Sequence, residues 1–143
     1  LLLPIAILAV VGRPIAWPSS FPEVKFPVSL IEQHRSAIEG KRVLTTDEWG
    51  DYLAYRFYPN QRVFFDGRSD FYGEELGRTY LKIMRGGAEA EAEVERFQFD
   101  TVLVPPEWQV QVGLRRSGRW EVLADSEKAV LLRRRVEPVG KKF

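Results

Sequence analysis

Apolar and polar positions in this chain follow two periods, and the change from one to the other marks its elements. The central stretch RVLTTDEWGDYLAYRFYPNQRVFFDGRSDFYG, residues 42–73, shows the change most plainly. Residues 42–45 are a short apolar run that predicts a strand entering a helix. Thr45 and Glu48 have the spacing of a capping box, and Asp47 adds favourable charge to the helix start. Trp49, Tyr52, Leu53 and Phe57 then recur at three and four, which predicts a helix with one large aromatic face. Gly50 inside that helix costs up to about 1 kcal/mol against alanine, so its presence implies close approach of another backbone. Pro59 and Asn60 end the element. Residues 62–66 form a second, near-continuous apolar run of the kind buried on both faces of a parallel sheet. Gly67 breaks it, and residues 68–73 read as a polar and aromatic loop.

The flanking segments extend the alternation. Pro27 followed by Val28, Leu30, Ile31, His34 and Ile38 predicts a helix over 27–39, stopped by Gly40. Residues 74–85 read as a helix with Leu76, Tyr80, Ile83 and Met84 inward and Gly86-Gly87 as the stop. AEAEAEVERF continues as a short acidic helix that buries Val94 and Phe97. Residues 101–104 are a third strand, stopped by Pro105-Pro106. In the following segment Trp108, Val110, Val112 and Leu114 alternate like a strand, while Pro106-Glu107 has the form of a helix start; a short helix is expected. Residues 120–124 and 129–133 make a terminal hairpin. The expected fold is α/β: a three-layer, mostly parallel sheet of about five strands with a C-terminal antiparallel hairpin. The loops after the first three strands then share one rim, where open α/β sheets bind ligands.

The 143-residue length suits a single domain, expected over 27–136. Before it, LLLPIAILAVVG is twelve residues without a charge, about 18 Å as a helix and shorter than a bilayer core. Residues 1–17 are read as the end of a membrane helix or an apolar lead-in, and 18–26 as a proline-rich linker with Trp17 at its head. Net charge is +1, which gives no strong attraction to nucleic acid, and no nucleic-acid partner is expected. The charge is uneven, with nine basic and four acidic residues from Arg115 to the end. Arg133-Arg134-Arg135, with Lys141-Lys142 in a basic tail over 137–143, are either a contact for anionic lipid or phosphate, or a solvated strand edge and terminus. The chain has no cysteine, which excludes a disulfide framework and thiolate metal sites.

Candidate chemistry collects at the expected rim. Asp47, Asp66, Arg68, Asp70 and Tyr72 are the candidate ligand-binding residues, framed by Trp49, Gly50, Tyr52 and Gly67 as structural rim positions. Carboxylates two to four residues apart can converge on an ion, and arginine presents a planar fork to phosphate. The alternative reading of the same residues is an internal Asp66–Arg68 ion pair pinning the loop over Trp49 and Tyr52. The set lacks a nucleophile–base pair, and no catalytic residue, metal site or cofactor is assigned. His34 is the only histidine and reads as structural. Phosphate-loop, nucleophile-elbow and HExxH motifs are missing from the sequence.

The run T-x-x-E-W-G-x-Y-L, then Y-P, then V-F-F-D-G-R-S-D-F-Y-G, with a late G-x-W strand, resembles a bacterial family. It is similar to the C-terminal extracytoplasmic domain of multi-pass membrane proteins related to dolichyl-phosphate-mannose mannosyltransferases and aminoarabinose transferases, the C-type glycosyltransferases. The match is carried by Trp49, Gly50, Tyr52, Leu53, Tyr58, Pro59, Val63, Phe64, Asp66, Gly67, Arg68, Tyr72, Trp120 and Asp125, and spans 21–135. The resemblance implies a periplasmic domain attached to a membrane portion of the same polypeptide, with a lipid-linked sugar or glycan acceptor as further partner. Catalytic acidic residues of that class lie in an early membrane-portion loop, so none transfers to a position here. Expected function is thus a non-catalytic accessory domain of a glycosyltransferase-like membrane protein. The alternatives are a stand-alone carbohydrate- or phosphate-binding module using loop 66–72, and a small α/β hydrolase or transferase.

Overall fold

The computed structural model of the protein describes residues 21–136; the apolar segment 1–17, the start of the proline-rich linker and the basic tail 137–143 lie outside the described residues. In chain order the elements are α1 (Val28–Gln33), α2 (Arg35–Ile38), β1 (Arg42–Thr45), α3 (Asp47–Arg56), β2 (Arg62–Val63), α4 (Ser69–Arg85), α5 (Ala88–Arg96), β3 (Thr101–Val104), α6 (Val110–Arg116), β4 (Trp120–Asp125) and β5 (Val130–Arg134). The strands make one mixed sheet in the order β2-β1-β3-β5-β4. β1 runs parallel to both β2 and β3, while β5 is antiparallel to β3 and β4. The fold is α/β, and its parallel character is confined to the first three strands. The hairpin folds back so that β5, not β4, lies against β3.

Strand side chains alternate between the faces, and each face has its own apolar cluster. Val43, Leu103 and Leu131 join Ile31, Ile38, Trp49, Leu53 and Phe57 from α1–α3 and its C-cap. Leu44, Val102 and Leu132 join Tyr80, Ile83, Val94, Trp108 and Leu114 on and around α4–α6. Ile31, Ile38, Leu44, Leu53, Leu103 and Leu132 are fully buried, each such side chain contributing about 1.5–3 kcal/mol.

Several sequence expectations need correction. The helix expected over 27–39 is two short helices broken at His34, whose φ of −110° and ψ of 26° leave the helical region. Ile31 and Ile38 are both fully buried, and Pro27 stands at the N-cap instead of the first turn. Thr45 does not cap α3. It is the last residue of β1, fully buried, and its hydroxyl has no hydrogen-bond partner. Thr46 is the N-cap, its Oγ1 accepting the Trp49 N–H at 3.2 Å. The strand expected over 62–66 has two residues at the sheet edge, Arg62 exposed and Val63 half-buried, so it is not buried on both faces. Phe64 still donates to the Val43 carbonyl at 3.0 Å, after which the chain turns away. Part of the expected loop, from Ser69, is helical and joins the next helix across a kink at Gly73 (φ 71°, ψ 169°), a conformation that favours glycine. The helix after Pro105-Pro106 exists but begins at Val110.

The second half of the proline-rich linker packs on the domain. Phe21 and Phe26 lie against Tyr52, with ring centroids 4.7 and 5.5 Å away. Trp49 Nε1 donates to the Lys25 carbonyl at 3.1 Å, tying the same segment to α3. Trp49 is 6% exposed. Trp49→Ala is expected to lose about 3–5 kcal/mol, measured by urea unfolding. A loss below about 1 kcal/mol would mean that this face of α3 is not part of the core.

Candidate functional site at the carboxyl rim of the sheet

The parallel pairing of β1, β2 and β3 brings their carboxyl ends to one rim, and α3 closes over it from the β1 side. A Cβ on Gly50 would run into the Phe65 carbonyl oxygen, so the glycine in α3 is what admits the backbone leaving β2. One residue on, Asp51 Oδ1 accepts the Gly67 N–H at 3.2 Å. These two contacts fix the turn that carries Asp66 and Arg68.

Asp66 is 3% exposed and is the only charged side chain among the described residues that is buried. Arg68 donates to it from Nη2 at 2.6 Å and from Nε at 3.1 and 3.2 Å, and its backbone N–H adds a bond of 3.0 Å. The Arg68 guanidinium holds the Asp66 carboxyl below the usual aspartate range, against the opposing effect of burial; the Arg68 N–H and the Tyr72 hydroxyl reinforce it. Asp66 in turn raises the Arg68 guanidinium further above its already high value. For Tyr72, burial is the largest upward influence on the hydroxyl, followed by Asp66.

Behind the pair runs a row of aromatic rings: Tyr72 on Phe65 at 4.7 Å, Phe65 on Tyr80 at 4.4 Å, Tyr80 against Trp108 at 5.4 Å. The Tyr80 hydroxyl accepts the Asp47 N–H at 3.2 Å, satisfying a backbone donor in the first turn of α3. Burial, with the Asp47 charge second, pushes the Tyr80 hydroxyl up to about 12.

The sequence candidates therefore divide. Asp66, Arg68 and Tyr72 come together, with Gly50 and Gly67 shaping the turn. Asp47 and Asp70 are exposed in the first turns of α3 and α4, and neither is among the groups bonded to Asp66. Among the described residues no three carboxylate or imidazole side chains converge as metal ligands. The ion pair exists, but it does not pin the loop over Trp49 and Tyr52. Those rings belong to the opposite apolar cluster, because the α3 residue facing the turn is Gly50 and not its aromatic neighbours. Asp51, Phe65 and Tyr80 complete the rim; the sequence reading placed Tyr80 only as an inward residue of its helix and Phe65 only in the second strand, and did not single out Asp51. The signal for Asp51 was its spacing of four from Asp47, which places both at the same side of α3.

Comparison of the chain with protein-family models, with curated proteins and with solved structures returned no match.

Two outcomes are expected at the rim. Gly50→Ala lowers stability by about 1–3 kcal/mol through overpacking against the Phe65 carbonyl, read from thermal unfolding; an unchanged melting temperature would show that the contact relaxes freely. The lowered Asp66 pKa makes its contribution complete above the ordinary aspartate value of about 3.9 and lost as pH falls from there through the folded-state value. Asp66→Asn is accordingly less stable at neutral pH, by about 1.5–3 kcal/mol, and loses less on acidification than the parent chain. Superimposable urea midpoints across the acid range would refute this.

Proposed function

We propose that this chain is the extracytoplasmic accessory domain of a glycosyltransferase-like polytopic membrane protein, non-catalytic by itself, with its helices layered on both faces of the sheet. The observation that carries the reading is the state of Asp66. The one buried carboxylate at the ligand-binding rim is engaged by a bidentate guanidinium and a backbone N–H. A general acid or base needs a pKa near the working pH, whereas this group is driven the other way. The rim is built to hold its own shape. Phe71, 87% exposed beside the pair, gives it an apolar contact for the membrane portion of the same polypeptide. A lipid-linked sugar or a glycan acceptor is the further partner in this reading, and the periplasmic side the location.

No helix among the described residues is long and apolar enough to cross a membrane, so in this proposal the spans come from outside 21–136. A second reading rests on the Arg68 side chain, 71% exposed although its inner edge is bonded to Asp66. That outward face suits a stand-alone module for a carbohydrate or phosphorylated ligand through loop 66–72.

The frame preceding Leu1 is expected to encode about ten further apolar spans. In the intact protein, a cysteine placed at exposed Ser36 in this cysteine-free stretch is expected to react with a membrane-impermeant maleimide from the periplasmic side. A wholly water-soluble upstream frame, or labelling only from the cytoplasmic side, would overturn the proposal. Loss of sugar-phosphate binding on Arg68→Ala would favour the second reading.

A further inference from the structure

The arginines of the C-terminal segment gather at the opposite end of the sheet from the rim. The Arg135 N–H donates to the Arg119 carbonyl at 2.8 Å, carrying the β4–β5 ladder one step past the Trp120–Arg134 pair. This sets Arg119, Arg133, Arg134 and Arg135 around a cleft of about 840 Å³, with Glu95 and Glu121 as its only carboxylates among the described residues. That volume is in the range of small-molecule sites.

The donors in this cleft outnumber its acceptors. Glu121 is taken by Arg133 at 2.6 Å. Glu95, in the last turn of α5, accepts from Arg134 through Oε2 at 2.7 Å, while its Oε1 lies 3.3 Å from Arg119 and is buried without a hydrogen bond. Arg135 has no carboxylate partner among the described residues; its Nε meets only the Trp120 carbonyl, at 3.4 Å. Arg134 is also held in place. Its Nε donates to the Phe99 carbonyl at 2.7 Å, and its guanidinium lies over the Trp120 ring, 4.6 Å from the centroid. With Nε and Nη1 so engaged, Nη2 is buried without a partner, as is the Trp120 Nε1 beside it. Buried donors of this kind are the exception in a folded chain, and a charged one more so. Four planar forks, one fixed by stacking and left short of an acceptor, complement an oxyanion with several oxygens.

We propose that this cleft binds a phosphate ester, a phosphomonoester or diphosphate group, with Arg119 and Arg135 as the exposed donors and Arg134 as the fixed one. The site does not depend on the membrane reading and is separate from the Asp66–Arg68 rim.

The test uses the full 143-residue chain. Inorganic pyrophosphate is titrated by calorimetry and by the indole N–H resonances of the tryptophans. Saturable binding that shifts the Trp120 indole signal is expected, weakened by about tenfold or more in Arg119→Gln/Arg135→Gln. The control Arg78→Gln/Arg85→Gln removes the same charge from α4 and is expected to bind as the parent chain does. A flotation arm compares phosphatidylcholine vesicles with and without phosphatidic acid. Flotation that pyrophosphate competes away assigns the group to a lipid headgroup; pyrophosphate binding without flotation assigns it to a soluble ester. Absence of saturable binding, or equal weakening in both double variants, would overturn the site. Folding of each variant is checked by its thermal transition, and Arg135→Gln alone, which leaves every recorded carboxylate pair intact, serves should the double variant unfold.

Discussion

The rim depends on a contact that involves almost no side chain: the Phe65 carbonyl seated against Gly50 of α3. A helix normally keeps a neighbouring backbone at the distance its Cβ atoms impose, and a glycine removes that spacer. The chain leaving β2 is drawn under α3, Asp51 reaches the Gly67 N–H, and Asp66 is carried inward while its arginine stays at the surface. Phe65 turns at the same point to the other face of the sheet, where it stacks on Tyr80. A single steric permission thus links an ion pair, a helix start and an aromatic row.

The sheet divides its apolar residues by parity. Val43 and Leu44, Val102 and Leu103, and Leu131 and Leu132 are adjacent in sequence yet enter different clusters. A register slip of one residue in any of these strands would exchange the two sets, and with them the helices they meet. Runs without alternation send successive residues into the two clusters, and the hairpin strand β5 does this as strictly as the parallel strands do.

How far this was legible in the sequence follows from the range of the forces involved. Helix α3, strands β1 and β3 and the hairpin were readable because their signals are local: spacing of three and four, a proline stop, short β-branched runs; α6 was readable only in part, since its apolar residues alternate like a strand and its start lies later than Pro106-Glu107 suggests. Gly50 announced a close approach, though not which backbone would make it. The failures came where tertiary contact outweighed a local preference. Thr45 and Thr46 are both plausible caps by sequence, and only the end of the β1 pairing decides between them. The run 62–66 looked like an inner strand because Phe64 and Phe65 are apolar, yet at this edge Phe65 is buried against Tyr72 and Tyr80 of α4 and Phe64 half-buried against Phe97 and Phe99. Asp66 and Arg68 were legible as a pair, being two residues apart. The arginine cleft was only half legible: the triplet 133–135 stood out, but the partnership with Arg119 and Glu95 needs the β4–β5 register and the end of α5.

Both margins of the sheet are poor templates for another strand. β2 offers two residues before its chain departs, and β4 carries an irregularity between Val122 and Ala124 that breaks its hydrogen-bonding rhythm. Association by adding one backbone ladder to another is therefore discouraged from either direction. Whatever this domain meets must be recognised through side chains, by the charge and ring faces it displays, and crowding many copies at one surface need not drive them into fibres.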